Sequence, residues 1–328
     1  MNSINLKSNY LALLCSISIK PVFFVCCLLF TGNVIAAMAD DLRDKYEEIE
    51  EALFENNYSI PLYLESNTSK AVMHGDAFGI LYHPFKTVSN SLKSLISWCG
   101  IMTQHINIKA CTYQFEDTKC KLSLYSGRKY YEKADDVYQL NYNFTVNVLT
   151  DDYFNASLKA KEGPIDTKDY HIFIEAIPLT DSSTFIHFRY EYKFGIWTRI
   201  GMSTYLSTLG RNKVGFSVTG YDKDNMPIYI KGVRGIIERN ATRYYFAIQS
   251  YIESLATPLG KRFNTRISYW FDLTEQHYKQ LHEMNKTDYL NYKTMEHHDQ
   301  MRLQNIINSK DTTFNHSHLV NSECKDIM

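Results

Sequence analysis

Three groups of side chains in this sequence could carry chemistry. The first is Trp98-Cys99 with His105 a few residues on. A thiol and an imidazole make a nucleophile and its base only when folding brings them within hydrogen-bond reach. A structural Cys buried beside a core Trp accounts for the same residues. The second group is Arg234, Glu238, Arg239 and Arg243, at the start of a long helical pattern. Arg forks could hold an anionic head group, or Glu238 could pair with Arg234 across one turn. The third is His277, His282, His297 and His298. Zinc-binding helices favour His four residues apart, and His277 and His282 are five apart, so a solvated face is expected, with no metal and no cofactor. Arg199, Arg211 and Lys213 bracket an aromatic-flanked helical stretch that could touch a membrane surface. A helix packed on the sheet through Met202, Tyr205 and Leu209 is the alternative. Cys111 and Cys120 fall on adjacent predicted strands across a short turn and could form a disulfide in an oxidising compartment.

The elements that must position these groups centre on Phe185–Phe194. Ile186, Phe188, Tyr190, Tyr192 and Phe194 alternate with His187, Arg189, Glu191 and Lys193. Side chains alternate across a strand, so this is a strand with one apolar-aromatic face and one wet face. Tyr142, Phe144, Val146 and Val148 repeat the pattern, as do Ile172, Ile174 and Ala176. One-sided strands fit an antiparallel sheet. A Tyr turned inward needs a partner for its hydroxyl, so the sheet encloses either a polar-dotted pocket or a core whose hydroxyls are satisfied at its rim.

The 328 residues are 45% hydrophobic and 22% charged with formal net charge -1, a globular composition without the cationic excess of a nucleic-acid groove. Residues 1–39 read as an export leader: an apolar run, Val22–Phe30, is followed by Ala36, Ala37 and Ala39. Cleavage then exports the chain to a periplasm or the exterior; an uncleaved N-terminal anchor is the alternative. An acidic helix, with Leu42, Tyr46, Ile49 and Leu53 on one stripe, occupies residues 40–58. The main domain spans 59–270. It reads as a strand, two short helices around Phe85–Leu92 and Leu95–Met102, a strand meander, a helix at Trp197–Leu209, a hairpin at 214–231 and a long helix from about Gly235 to Leu255. That helix carries Ile237, Ala241, Tyr245, Ile248 and Ile252 on one stripe. Residues 271–309 are expected as a polar helical appendage and 310–328 as a disordered tail.

This order resembles the START-like (SRPBCC) helix-grip superfamily, which also holds polyketide cyclases and pollen-allergen-type carriers. Local phrasing carries the likeness to an uncharacterised secreted bacterial branch: Phe78-Gly79-Ile80-Leu81-Tyr82-His83-Pro84-Phe85, Trp98-Cys99, and Gly163-Pro164-Ile165-Asp166-Thr167-Lys168-Asp169-Tyr170. The resemblance implies an α+β fold in which a curved antiparallel sheet wraps a long C-terminal helix, with extra helices at both ends. It implies a cavity between sheet and helix, lined by Tyr142, Phe144, Val146, Ile186, Phe188, Tyr190 and Tyr192 from the sheet and by Tyr245, Ile248 and Ile252 from the helix. The partner would be a lipid or another hydrophobic small molecule, with no nucleic acid. Binding is preferred to catalysis, since no residue pair singles itself out for acid-base work; an enzyme of cyclase or hydrolase type and an envelope interaction protein are the alternatives.

Overall fold

Alternating strands and short turns build one antiparallel sheet. The computed structural model describes residues 20–56, 58, 60–69, 72–116, 119–195 and 212–310, with side chains described from residue 36 onward except at 116 and 119. The expected helix at Trp197–Leu209, the tail beyond residue 310 and the first part of the leader lie outside the described residues.

The strands are β1 (Leu62–Ser69), β2 (Val72–Leu81), β3 (Ile108–Glu116), β4 (Lys119–Ser126), β5 (Tyr138–Leu149), β6 (Phe154–Glu162), β7 (Thr167–Thr180) and β8 (Ser183–Phe194). They join in the order β1-β2-β8-β7-β6-β5-β4-β3. The meander from β3 to β8 therefore returns to pair with β2, and two short helices, α2 (Phe85–Leu92) and α3 (Leu95–Met102), fill the crossover. A second hairpin, β9 (Val218–Tyr221) with β10 (Pro227–Tyr229), precedes the long helix α4 (Gly232–Glu253).

α4 is the gripped helix. It lies on the β1-β2-β8 side of the concave face, where Gly75 and Gly79 leave room for it. A Cβ on Gly75 would meet Ile237 at 3.2 Å, and one on Gly79 would fall 2.1 Å from the Tyr245 hydroxyl. Only a residue without a Cβ allows so close an approach. This is the expected α+β helix-grip architecture, with β1 as an added edge strand.

The convex face is less wet than alternation alone implies. α1 (Lys20–Phe54) runs across it, and its stripe of Leu42, Ile49 and Leu53 packs with Phe78, Ile80, Tyr153, Ile177 and Phe185. Among the described residues, no helix is long and apolar enough to cross a membrane. Beside this small core, the buried His187 bonds Asp76 Oδ1 through Nε2 (2.6 Å) and Glu175 Oε1 through Nδ1 (2.7 Å). Arg189 Nε also donates to Asp76 Oδ1, at 2.6 Å. Burial alone would lower the His187 pKa, but the two carboxylates outweigh it and raise it. Burial alone would raise the Asp76 pKa, but His187 and Arg189 outweigh it and lower it.

A raised histidine stabilises fully below its unfolded value, about 6.5, and loses that contribution as pH rises through the folded value. The lowered Asp76 works in the opposite sense, stabilising above about 3.9 and losing its contribution as pH falls through the folded value. The stability difference between the native chain and His187→Gln should therefore shrink as pH is raised from about 6.5. Urea melts of both proteins across that range would measure it; a difference independent of pH would contradict the assignment.

The C-terminal stretch is not an appendage. α5 (Arg262–Glu275), the short α6 (Tyr278–Leu281) and α7 (Lys286–Lys310) close over α4 and the β3 edge, and Trp270, Phe271, Leu273, Leu281 and Tyr289 join the main core. α7 has no wide apolar stripe, because much of what it buries is polar and paired. Lys293 Nζ donates to the His105 and Ile108 carbonyls and to Glu296 Oε2, and Lys109 Nζ donates to Glu296 Oε1 and the Ile106 carbonyl, all within 2.8–2.9 Å. Gln304 bonds both backbone groups of Tyr113, and Gln300 accepts from the Cys111 N–H, so α7 side chains satisfy the exposed edge of β3.

Candidate ligand site

The concave face carries the inward residues of β4 to β8, and all ten side chains expected to line a cavity are buried there in one continuous core. The structure separates them into two places. Ile186 lies opposite Gly79, over which Tyr245 packs, so these residues belong to the tight seam between sheet and α4. Tyr142, Tyr190 and Tyr192 belong instead to an aromatic cluster farther along the sheet.

That cluster includes two tyrosines absent from the expected lining. Tyr170 stacks on Tyr192 with ring centroids 5.1 Å apart and meets Tyr190 and Tyr142 at 6.3 Å. Tyr244 reaches in from α4, 5.3 Å from Tyr190 and 5.9 Å from Phe188. His105 stacks on its other side at 4.9 Å. The helical stripe through Tyr245 misses Tyr244, because α4 is buried on more than one face: Arg239, Thr242, Arg243, Tyr244 and Phe246 are buried too. The run Tyr244-Tyr245-Phe246-Ala247-Ile248 held the signal, since a helix apolar all round is a buried one.

The hydroxyls decide what the cluster can do. Tyr170 donates to Thr167 Oγ1 at 2.8 Å. Those of Tyr142, Tyr190, Tyr192 and Tyr244 make no hydrogen bond to the described residues, although their rings are buried. Burial, reinforced by the neighbouring phenols, pushes all four pKa values up, so the groups stay protonated and act as donors. None of the four oxygens is among the fully buried side-chain atoms that lack a partner, so each is open to water or a bound molecule.

At the end of α4 nearer its start, Glu283 gathers four cations. Arg239 (2.6 Å) and Arg243 (3.1 Å) bond its Oε1, and Lys213 (2.7 Å) and Lys129 bond its Oε2. Burial would raise the Glu283 pKa, but Arg243 and the lysines bring it down to about 2. The Arg group read from the sequence is thus divided. Glu238 does not pair with Arg234; its carboxylate accepts from the Ser66 and Ser217 hydroxyls and the Phe216 and Ser217 N–H groups, and Arg234 Nε donates to Ser66 Oγ.

The Cys-His reading is overturned. Cys99 on α3 is disulfide-bonded to Cys111 on β3, with Cα atoms 5.1 Å apart, so neither is a thiol. The expected Cys111–Cys120 pair is corrected by the same bond. The hairpin register sets Cys111 opposite Leu124 and Cys120 opposite Phe115. Trp98 donates its Nε1 proton to the Leu92 carbonyl at 2.7 Å, a core role. The C-terminal histidines serve separate contacts. His277 stacks on Phe246, with burial lowering its pKa to about 4; His282 bonds Glu275; His297 stacks on Phe263.

The strand order, the crossover helices and the gripped α4 give this chain an α+β helix-grip fold. No family model matches the sequence, and no curated protein matches it. Among solved structures, it is similar to the Zhui aromatase/cyclase from Streptomyces sp. R1128, with TM-score 0.38 and 10% identity over 58% of this chain and 98% of that one. It is also similar to human StAR-related lipid transfer protein 5 (TM-score 0.31, 10% identity, 67% of this chain and 99% of that one). A STAR-related lipid transfer protein fragment from Xanthomonas axonopodis gives TM-score 0.28 and 11% identity over 44% of this chain and 90% of that one. At these scores, the fold statement rests on this chain's own topology.

Proposed function

We propose that this chain is an exported protein that binds an apolar ligand, a lipid or a similar amphiphile, between the concave sheet and α4. The observation that carries the reading is the set of hydroxyls on Tyr142, Tyr190, Tyr192 and Tyr244 that bond none of the described residues, inside an otherwise apolar grip. A ligand or water held there supplies the missing partners, and a ligand gains about 25 cal/mol for each Å² of apolar surface removed from water, before ordering costs. Catalysis on the same fold has less support: His105 touches the cluster, but its Nδ1 accepts from the Asn107 N–H and burial holds its pKa well below the usual value. Mass spectrometry of the natively purified protein should find a co-purifying apolar molecule. Its absence from protein purified from its native source would count against the reading.

Export is supported by the leader pattern and by the Cys99–Cys111 disulfide, since disulfides persist in oxidising compartments. Cleavage near Ala37 or Asp40 would leave the sheet-facing Leu42, Ile49 and Leu53 in place. N-terminal sequencing should return a start in that region; an intact Met1 in the membrane pellet would defeat it.

A further inference from the structure

We propose that the cations around Glu283 form a binding site for a doubly charged oxyanion, the phosphate group of a phosphate monoester. The site shares no residue with the tyrosine cluster and stands whether or not an apolar ligand binds there. Separate parts of the chain converge on the Glu283 carboxylate, which lies between α6 and α7. Arg239 (2.6 Å) and Arg243 (3.1 Å) reach it from α4, Lys213 (2.7 Å) from the stretch before β9, and Lys129 from the loop after β4. Even with Arg243 set against Glu283, Lys129, Lys213 and Arg239 have no carboxylate of their own: among the described residues, none of the three bonds a second Asp or Glu. The chain that runs into Lys213, residues 196–211, carries Arg199 and Arg211 and neither Asp nor Glu.

The cluster has a closed end and an open one. The Arg239 and Glu283 side chains are 7% and 5% exposed, whereas those of Lys213 and Lys129 are 28% and 39% exposed, so a small solute can approach past the lysines. At the closed end, the Arg239 Nε–H is buried and donates to none of the described atoms. Positive charges gathered out of water repel one another unless an anion lies between them, and a buried guanidinium needs acceptors for its protons. Burial lowers the Lys129 pKa, and Lys213 and Arg243 add to the fall against the pull of Glu283. A carboxylate ligand brings one negative charge. A phosphate monoester brings about two, with three acceptor oxygens. Those serve both the compact ammonium groups of the lysines and the planar fork of Arg239.

The test uses the full-length protein in chloride and in inorganic phosphate at matched ionic strength. Phosphate is expected to raise the melting temperature of the native chain, because an anion that binds only the folded state stabilises it. Lys129→Met and Lys213→Met each remove one charge at the open end, where the side chains are partly exposed. Calorimetric titration should find phosphate about tenfold weaker or more in each, the loss of one charge-assisted hydrogen bond. Dihexanoyl phosphatidic acid, a short-chain lipid phosphate monoester, separates the two sources of the group. Tighter binding than phosphate, weakened by the same two substitutions, assigns a lipid head group; binding no tighter than phosphate assigns a soluble phosphate ester. The same melting temperature of the native chain in phosphate and in chloride would overturn the site, as would equal phosphate affinity in the native chain and both lysine variants. Either result would leave the apolar-ligand reading untouched, since none of these residues belongs to the tyrosine cluster.

Discussion

A chain ended at Tyr269 is expected to lose its cooperative melting transition. The cut removes Leu273, Leu281 and Tyr289 from the core and Glu283 from its four cations. It also strips Gln300 and Gln304 from the β3 edge and leaves Lys109 buried without its carboxylate. Glu296→Gln isolates the sharpest part of that effect. Glu296 is the shared anion of Lys109 and Lys293, and all three side chains are at most 4% exposed. Burial already depresses the Lys293 pKa to about 8, against the pull of Glu296. Breaking a buried ion pair by removing one partner costs about 3–5 kcal/mol. Urea denaturation should therefore show a large fall in midpoint for Glu296→Gln, and no sharp transition for the truncated chain. Cooperative folding of the truncated chain with native-like stability would show that α5 to α7 are dispensable.

The strands and the gripped helix were legible in the sequence because their patterns are local. Alternation along Tyr142–Val146 and Ile186–Tyr192 fixes which side chains face inward, and the structure buries those residues in the concave core; the irregularity after Val146 breaks the pattern, and Val148 packs on the convex cluster instead. The role of α7 was not legible. Its packing surface consists of Lys293, Glu296, Gln300 and Gln304, polar residues whose burial depends on partners far away in sequence. The wet face of β8 was misread for a related reason: His187 is polar, yet it is enclosed with Asp76 and Glu175, which the sheet register places beside it. The disulfide could not be chosen from spacing, because the crossover helix α3, not the hairpin turn, brings Cys99 to Cys111. Within the site, β-strand tyrosines were found by alternation, but Tyr244 was hidden by a single-stripe reading of a helix wrapped on several sides.

If the chain binds an apolar molecule as proposed, filling the tyrosine site is expected to expel it while the fold survives. Ile186 is a poor place to try, because it faces Gly79 in the seam where Tyr245 already packs. Ile172 is better placed: it is buried on the concave face, between Leu158 and Tyr190 in the sheet register. In a site with room, Ile172→Trp takes the ligand's volume at little cost to stability. In a filled core, the same change overpacks and destabilises by about 1–3 kcal/mol. The deciding measurement is paired, with native mass spectrometry for retained ligand and a thermal melt on the same preparations. The account predicts a bound apolar molecule on the native chain, none on Ile172→Trp, and melting temperatures that differ little once the native ligand has been stripped. A large drop in melting temperature, with no ligand on the native chain, would contradict it.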